Sequence, residues 1–156
     1  MARTPAPVLC PVDGRAVAMS DVPDAVFAEE MVGPGIAVQP DEAAASLTAL
    51  APVAGVVTTV HPHAFVVEDD DGRSVLVHLG IDTVELRGEG FTVHVAAQQR
   101  VTAGERVITW SPAAVAAGGR ATVCPVVALE ADAGALADVP APGTALTAGQ
   151  PLLTWG

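Results

Sequence analysis

His61, His63, His78 and Asp82 fall in one short stretch of the 156-residue chain. An imidazole can attack an electrophile through a neutral ring nitrogen, donate a hydrogen bond to an anion, or bind a metal. Which chemistry is open depends on whether these rings meet. Between them lies Asp69-Asp70-Asp71-Gly72, flanked by the strand-like runs Phe65-Val66-Val67 and Ser74-Val75-Leu76-Val77. An Asp-Gly between two such runs predicts a hairpin. With a loop of two or four residues, partners across the hairpin have numbers with an odd sum. His63 and His78 then share a face, directly opposite for a sum of 141 and diagonal for 143. A loop of three or five residues puts them on opposite faces unless a bulge intervenes.

In the odd-sum registers, Phe65, Val67, Ser74 and Leu76 accompany the histidines, and Ala64, Val66, Val75, Val77 and Leu79 form the other face. Both faces are apolar, so the hairpin is either covered on both sides or exposes its histidine face as an apolar docking patch. The patch is the expected arrangement, because two buried imidazoles would each need hydrogen-bond partners.

His78 is followed by Gly80 and Asp82, which suits a phosphoryl acceptor. Attack on phosphorus requires one ring nitrogen to be free while the other keeps its proton, and a carbonyl or carboxylate accepting that proton would fix the tautomer. An unperturbed imidazole has a pKa of about 6.5, so a neutral fraction is present near neutrality. A phosphoryl group brings about 1.5 to 2 negative charges, and a second imidazole can donate to its oxygens. That role falls to His63. His94, alone in a strand-like run, reads as structural.

Zinc offers a rival chemistry. His61-Pro62-His63 is His-x-His and His78 to Asp82 is His-x-x-x-Asp, both ligand patterns. Peptidoglycan-cutting zinc peptidases of the LytM type use these motifs, but in the opposite order and far apart. A catalytic zinc is therefore the lesser reading, although His63 and His78 have the ligand type to share a zinc with a partner.

Composition narrows the classes further. A formal charge of −11 without any lysine argues against nucleic acid and rules out lysine chemistry, including a biotinyl or lipoyl attachment. Cys10 and Cys124 match no metal spacing and read as buried free thiols. The stretch MARTPAPVLCPVDG has no apolar run of signal-peptide length, and no membrane-spanning run follows. A cytoplasmic protein without membrane insertion is expected.

Two repeats organise the chain. Leu9-Cys10-Pro11-Val12-Asp13-Gly14 recurs as Leu50-Ala51-Pro52-Val53-Ala54-Gly55, an offset of 50 − 9 = 41. The run from Val101 to Trp110 recurs from Leu146 to Trp155, an offset of 146 − 101 = 45. Two copies of two different pieces point to an internally duplicated all-β sandwich rather than a solenoid, which needs three or more units. Further strands are expected at 36–39, 47–50, 91–95 and 122–129. One helix is predicted after Ser111, with Pro112 in its first turn and Gly118 as its stop. A shorter helical turn is expected within 23–30. Residues 41–45 and 131–141 read as surface loops or a brief helical turn, and no linker divides the chain, so 1–156 is expected to be one domain.

The run from His78 to Phe91, His-Leu-Gly-Ile-Asp-Thr-Val-Glu-Leu-Arg-Gly-Glu-Gly-Phe, closely resembles the active-site signature of the glucose-type enzyme IIA of the bacterial sugar phosphotransferase system. His63-Ala64-Phe65, the run from Asp21 to Glu29, the run from Gly35 to Pro40 and the run from Ala51 to Gly55 match it too. The resemblance implies a barrel-sandwich hybrid with a duplicated motif, His78 as phosphoacceptor and His63 as supporting histidine. It implies that Asp24 and Asp82 are acidic residues beside the site, and that Val26, Phe27, Val32 and Phe65 belong to an apolar docking surface. The implied donor is the phosphohistidine of the general phosphocarrier protein. The implied acceptor is a cysteine on the B domain of a sugar permease, with regulatory proteins as further targets and no cofactor. Many members carry a small hydroxyl residue two positions before the supporting histidine, where this chain has His61.

Overall fold

The computed structural model describes residues 4–156. In chain order its strands are β1 (Ala6–Leu9), β2 (Gly14–Val17), β3 (Gly35–Gln39), β4 (Leu47–Leu50), β5 (Gly55–His61), β6 (Ala64–Glu68), β7 (Ser74–His78), β8 (Phe91–Val93), β9 (Arg100–Val101), β10 (Arg106–Trp110), β11 (Cys124–Ala128), β12 (Leu136–Ala137), β13 (Ala145–Leu146) and β14 (Pro151–Trp155). They form an eight-stranded sheet in the order β13-β2-β3-β11-β7-β6-β5-β9 and two three-stranded sheets, β1-β14-β12 and β4-β10-β8. Among the described residues every pairing is antiparallel and no sheet closes into a barrel.

The two sequence repeats are joined by matching hydrogen bonds. Leu9 N–H donates to Pro52 O at 2.8 Å, and Leu50 N–H, its counterpart at offset 41, donates to Pro11 O at 2.9 Å. Cys10 N–H reaches Gln150 O at 2.7 Å, while Ala51 N–H reaches Glu105 O at 2.8 Å. Each copy of the first repeat therefore grips one copy of the second. The order of the large sheet reads as mirror pairs about its centre, β11 with β7, β3 with β6, β2 with β5 and β13 with β9. The predicted duplicated sandwich is what forms.

Strand alternation divides the core. Phe65, Val67, Val75, Val77, Val38 and Val126 point into the main cluster beneath Trp110 and Trp155. Leu76, Ala37 and Val127 point the other way, onto a second cluster with Met19, Val22, Phe27, Ile81 and Val123. The centre of the sheet is thus covered on both faces, which is why its strands read as nearly continuous apolar runs.

The helices are short. In α1 (Ala25–Ala28), Asp24 is the N-cap and its carboxylate accepts from Val26 N–H at 2.9 Å. In α2 (Pro112–Ala117), Ser111 Oγ accepts from Ala114 N–H at 3.1 Å, and Gly118 ends the helix as expected. A 3₁₀ turn at Ala133–Ala135 lies in the stretch read as loop or helical turn.

The β6–β7 loop holds the five residues 69–73. Asp69 organises it by accepting from the N–H groups of Asp71 at 2.9 Å and Arg73 at 2.8 Å. Arg73 is 2% exposed. Its guanidinium meets Asp69 at 3.1 Å and Asp71 at 3.3 Å and donates to the carbonyl of Thr4 at 2.5 Å. With five residues in the loop, partners sum to 142, as in Ala64 with His78 and Phe65 with Val77. The even sum regroups the side chains. Phe65 and Val67 share the core face with Val75, Val77 and Leu79, while Ala64, Val66, Ser74 and Leu76 lie on the His78 face. An exposed apolar histidine face does not form, because the second cluster covers it.

Candidate functional site

His78 ends β7, and the chain then turns sharply. Gly80 has φ +76°, and a Cβ there would lie 2.9 Å from Ala121 O and 2.8 Å from the Thr83 methyl, so no larger residue fits. Ile81 N–H donates to Ala121 O at 2.9 Å, and Thr83 Oγ1 donates to Leu79 O at 2.8 Å, pinning the turn from both sides. Its effect is to bring Gly80 O to 2.5 Å from His78 Nδ1. A carbonyl only accepts, so Nδ1 carries the proton and Nε2 keeps its lone pair.

His63 reaches the same place by another route. It lies in the two-residue Pro62-His63 turn that joins His61 to Ala64, its partner across the β5–β6 hairpin. Two-residue hairpin turns usually take positive φ. Proline cannot, and neither Pro62 nor His63 has positive φ. His63 is therefore free of the strand alternation that would point it away from His78. Its backbone carbonyl accepts from Leu79 N–H at 2.8 Å, and its ring stands edge-on to His78 with centroids 5.2 Å apart and planes at 70°. His61 stacks on His63, centroids 5.7 Å apart and planes 19° apart.

Phe27 supports His78 from α1, ring centroids 5.2 Å apart. Burial pushes the His78 pKa below its ordinary value; the Gly80 carbonyl and the carboxylates of Asp24 and Asp82 oppose that shift. His63 is lowered to about 4, by burial first and then by the charges of His78 and His61. At neutral pH His63 is thus a neutral ring with one N–H to donate. Asp82 holds a left-handed conformation at φ 59°, a state that aspartate tolerates better than most residues.

Phe65 is fully buried in the main core and forms no docking surface, because the even-sum register turns it inward. Phe27 is 7% exposed and packs within the second cluster, so its ring serves mainly as a support for His78. Val32 is half-buried beside the same cluster, and Val26 is 42% exposed. One exposed apolar residue close to Asp82 escaped sequence reading, Val84, two positions after it; Met31, also exposed, lines a cleft with Val32, Gly72 and Ser74 at the loop end of the hairpin. Arg120 was also missed. It pairs with Glu85 at 3.3 Å and lines a cleft with Pro23, Ile81 and Asp82. Nothing in its local sequence, Gly-Gly-Arg-Ala, signals that position.

His94 lies apart from these groups, exposed, with Nε2 2.7 Å from Thr109 Oγ1. Cys10 and Cys124 are buried free thiols, raised by burial to about 11 and about 12 respectively. Among the described residues no group of three or more His, Cys, Asp and Glu is arranged to hold a metal. The His61, His63, His78 and Asp82 set required for the peptidase reading therefore does not assemble. An ion at His63 and His78 would need further ligands from another molecule. No helix among the described residues is long and apolar enough to cross a membrane.

A duplicated antiparallel sandwich carrying a tautomer-fixed histidine beside a second imidazole defines a class of phosphotransferase components. Residues 6–133 match the family model for the phosphoenolpyruvate-dependent sugar phosphotransferase system, EIIA 1, and the chain belongs to that family. Within that family it is of the glucose type, similar over most of its length to glucose-specific EIIA components.

The chain is 45% identical over 123 residues to the PTS system glucose-specific EIICBA component of Streptococcus pneumoniae serotype 4, covering 78% of this chain and 16% of that one. It is 35% identical over 127 residues to the PTS system glucose-specific EIIA component of Oceanobacillus iheyensis, covering 80% and 74%. The solved glucose permease IIA from Mycoplasma capricolum superimposes with a TM-score of 0.86 at 30% identity, covering 97% of this chain and 96% of that one. Several relatives are much longer, and the chain spans only 16%, 17% and 18% of three of them.

Proposed function

We propose that His78 Nε2 receives a phosphoryl group from the phosphohistidine of the general phosphocarrier protein and passes it to a cysteine on the B domain of a sugar permease. The observation that carries this reading is the 2.5 Å contact between His78 Nδ1 and Gly80 O, which leaves Nε2 as the nucleophile. In the first step the bond from phosphorus to the carrier's nitrogen breaks as the bond to Nε2 forms. Positive charge develops on the His78 ring, and Asp24 and Asp82 favour it electrostatically. In the second step a cysteine thiolate displaces Nε2, forming a phosphorus–sulfur bond and returning neutral His78. His63 donates its N–H to the phosphoryl oxygens during transfer.

Docking excludes water through the exposed apolar side chains of Val26 and Val84, edged by Asp24 and Asp82; Val32 lies with Met31 toward Gly72 and Ser74, at the loop end of the hairpin. Positioning and charge complementarity then supply the catalysis. The sugar is recognised by the permease, and the whole of residues 1–156 acts as one carrier domain in the cytoplasm.

The test is incubation with phosphoenolpyruvate and the general phosphotransfer proteins, followed by intact mass and site mapping. One acid-labile, base-stable phosphoryl group on His78 is expected, and His78→Ala should lose it while remaining folded. Because the ring is half-buried against Phe27, a stability loss of about 1 kcal/mol should accompany that variant. Labelling that survives in His78→Ala, or that maps to His94, overturns the assignment.

A further inference from the structure

His78 and His63 are held in different ways. The His78 ring is held by Gly80 O on one nitrogen and by a tilted contact with the Phe27 ring. The His63 ring makes no hydrogen bond within the described residues; its ring contacts are an edge-on one with His78 and a stacked one with His61. His63 also lies in a turn, where no neighbouring strand fixes its rotamer. His61 ends β5 directly across from Ala64, so its backbone is tied by sheet pairing, yet its side chain is exposed. Gly88 passes close to Pro62 between them, near enough that a side chain there would crowd the proline ring.

We propose that His61 is a positioning residue whose stacked ring holds the His63 imidazole edge-on to His78 for onward phosphoryl transfer. It touches neither the acceptor nitrogen nor the phosphoryl group and acts through His63. The stacking arm is anchored at its base by the β5–β6 pairing and by Pro62, so the constraint comes from the backbone as well as the ring. A planar side chain is what the position requires; a proton on it is not. The covering ring and its charge also contribute to the lowered basicity of His63.

The proposal rests on the reading of His78 and His63 above, and two variants keep their failures apart. His61→Ala removes the ring, and His61→Phe restores a planar face without a titratable group. The first readout is the His63 ring titration followed by NMR in the unphosphorylated protein, which needs no partner. In His61→Ala the His63 midpoint should rise from about 4 toward 6.5, as cover and neighbouring charge are both lost. In His61→Phe it should stay clearly below that of the alanine variant. The second readout is the ratio of onward transfer to phosphoryl acceptance. It should fall about tenfold in His61→Ala and recover in His61→Phe. A wild-type ratio in His61→Ala, or a phenylalanine variant as slow as alanine, overturns the positioning role. A wild-type protein that takes no phosphoryl group on His78 overturns the underlying function instead, whatever the titration shows.

Discussion

His63 stands edge-on to His78, ring centroids 5.2 Å apart, although the β6–β7 register pairs His78 with Ala64. The meeting is made by a turn and not by a sheet face. It keeps a neutral N–H donor beside the proposed nucleophile, whose own proton is committed to Gly80 O.

Replacing His63 with glutamine keeps a donor near the phosphoryl oxygens but removes the ring. His63→Gln should still take phosphate on His78 and pass it on about a hundredfold to a thousandfold more slowly, the usual cost of losing one positioned donor. Rapid-quench kinetics of both half-reactions checks this. Onward transfer at the wild-type rate would make His63 structural.

Acid should weaken the fold through the same residue. The folded His63 pKa is about 4 against an ordinary 6.5, so the unfolded chain takes up a proton first as pH falls. The stability associated with neutral His63 is complete above pH 6.5 and is lost progressively toward pH 4. His78, also lowered, adds to the slope. Thermal melts between pH 7 and 5, above most carboxylate titration, should show a falling midpoint, with a shallower fall in His63→Gln. Identical slopes for the two proteins would contradict the lowered pKa.

Gly80→Ala tests the turn that fixes the tautomer. A left-handed backbone costs a non-glycine residue about 1–2 kcal/mol, and the added methyl also collides with Ala121 O. The melting midpoint should fall by several degrees. Phosphoryl acceptance should fall as well, because relief of the clash moves Gly80 O away from Nδ1. Unchanged acceptance in a destabilised variant would show that the carbonyl does not set the acceptor nitrogen.

Docking separates two kinds of apolar residue. Val84→Ser should weaken phosphocarrier binding with little effect on melting, since Val84 is 61% exposed. Phe27→Ala should instead cost stability, about 3–5 kcal/mol for a buried ring. Asp82→Asn should act mainly on the association rate and its salt dependence. A salt series measured by calorimetry and stopped flow distinguishes these effects. Wild-type affinity in Val84→Ser, with binding abolished by salt alone, would show a contact made by charge.

Much of this was legible in the sequence because it was written in local signals. Ser111-Pro112 and Gly118 bracket α2 through their own backbone preferences. The two repeats declared the duplication, since each copy must satisfy the same hydrogen bonds. The site was less legible. Asp-Gly marks a turn without fixing its length, and Asp69 draws Asp71 and Arg73 into a five-residue loop by hydrogen bonds invisible in the sequence. That one residue of length turned Phe65 inward. His63 met His78 nonetheless, because Pro62 turns the chain just before it. The positions of Arg120 and Val84 depend on how distant loops meet, which no local pattern encodes.

Arg73 separates the anchoring of Thr4 from the histidine pair. Its guanidinium holds Thr4 O at the loop end of β6 and β7, while His63 and His78 lie at the other end. Five residues of strand separate the two ends, about 16 Å at the usual rise. Thr4 is therefore held at the pole remote from the two imidazoles. The ion-paired loop that fixes Thr4 can thus change in charge without disturbing the geometry of the histidine pair.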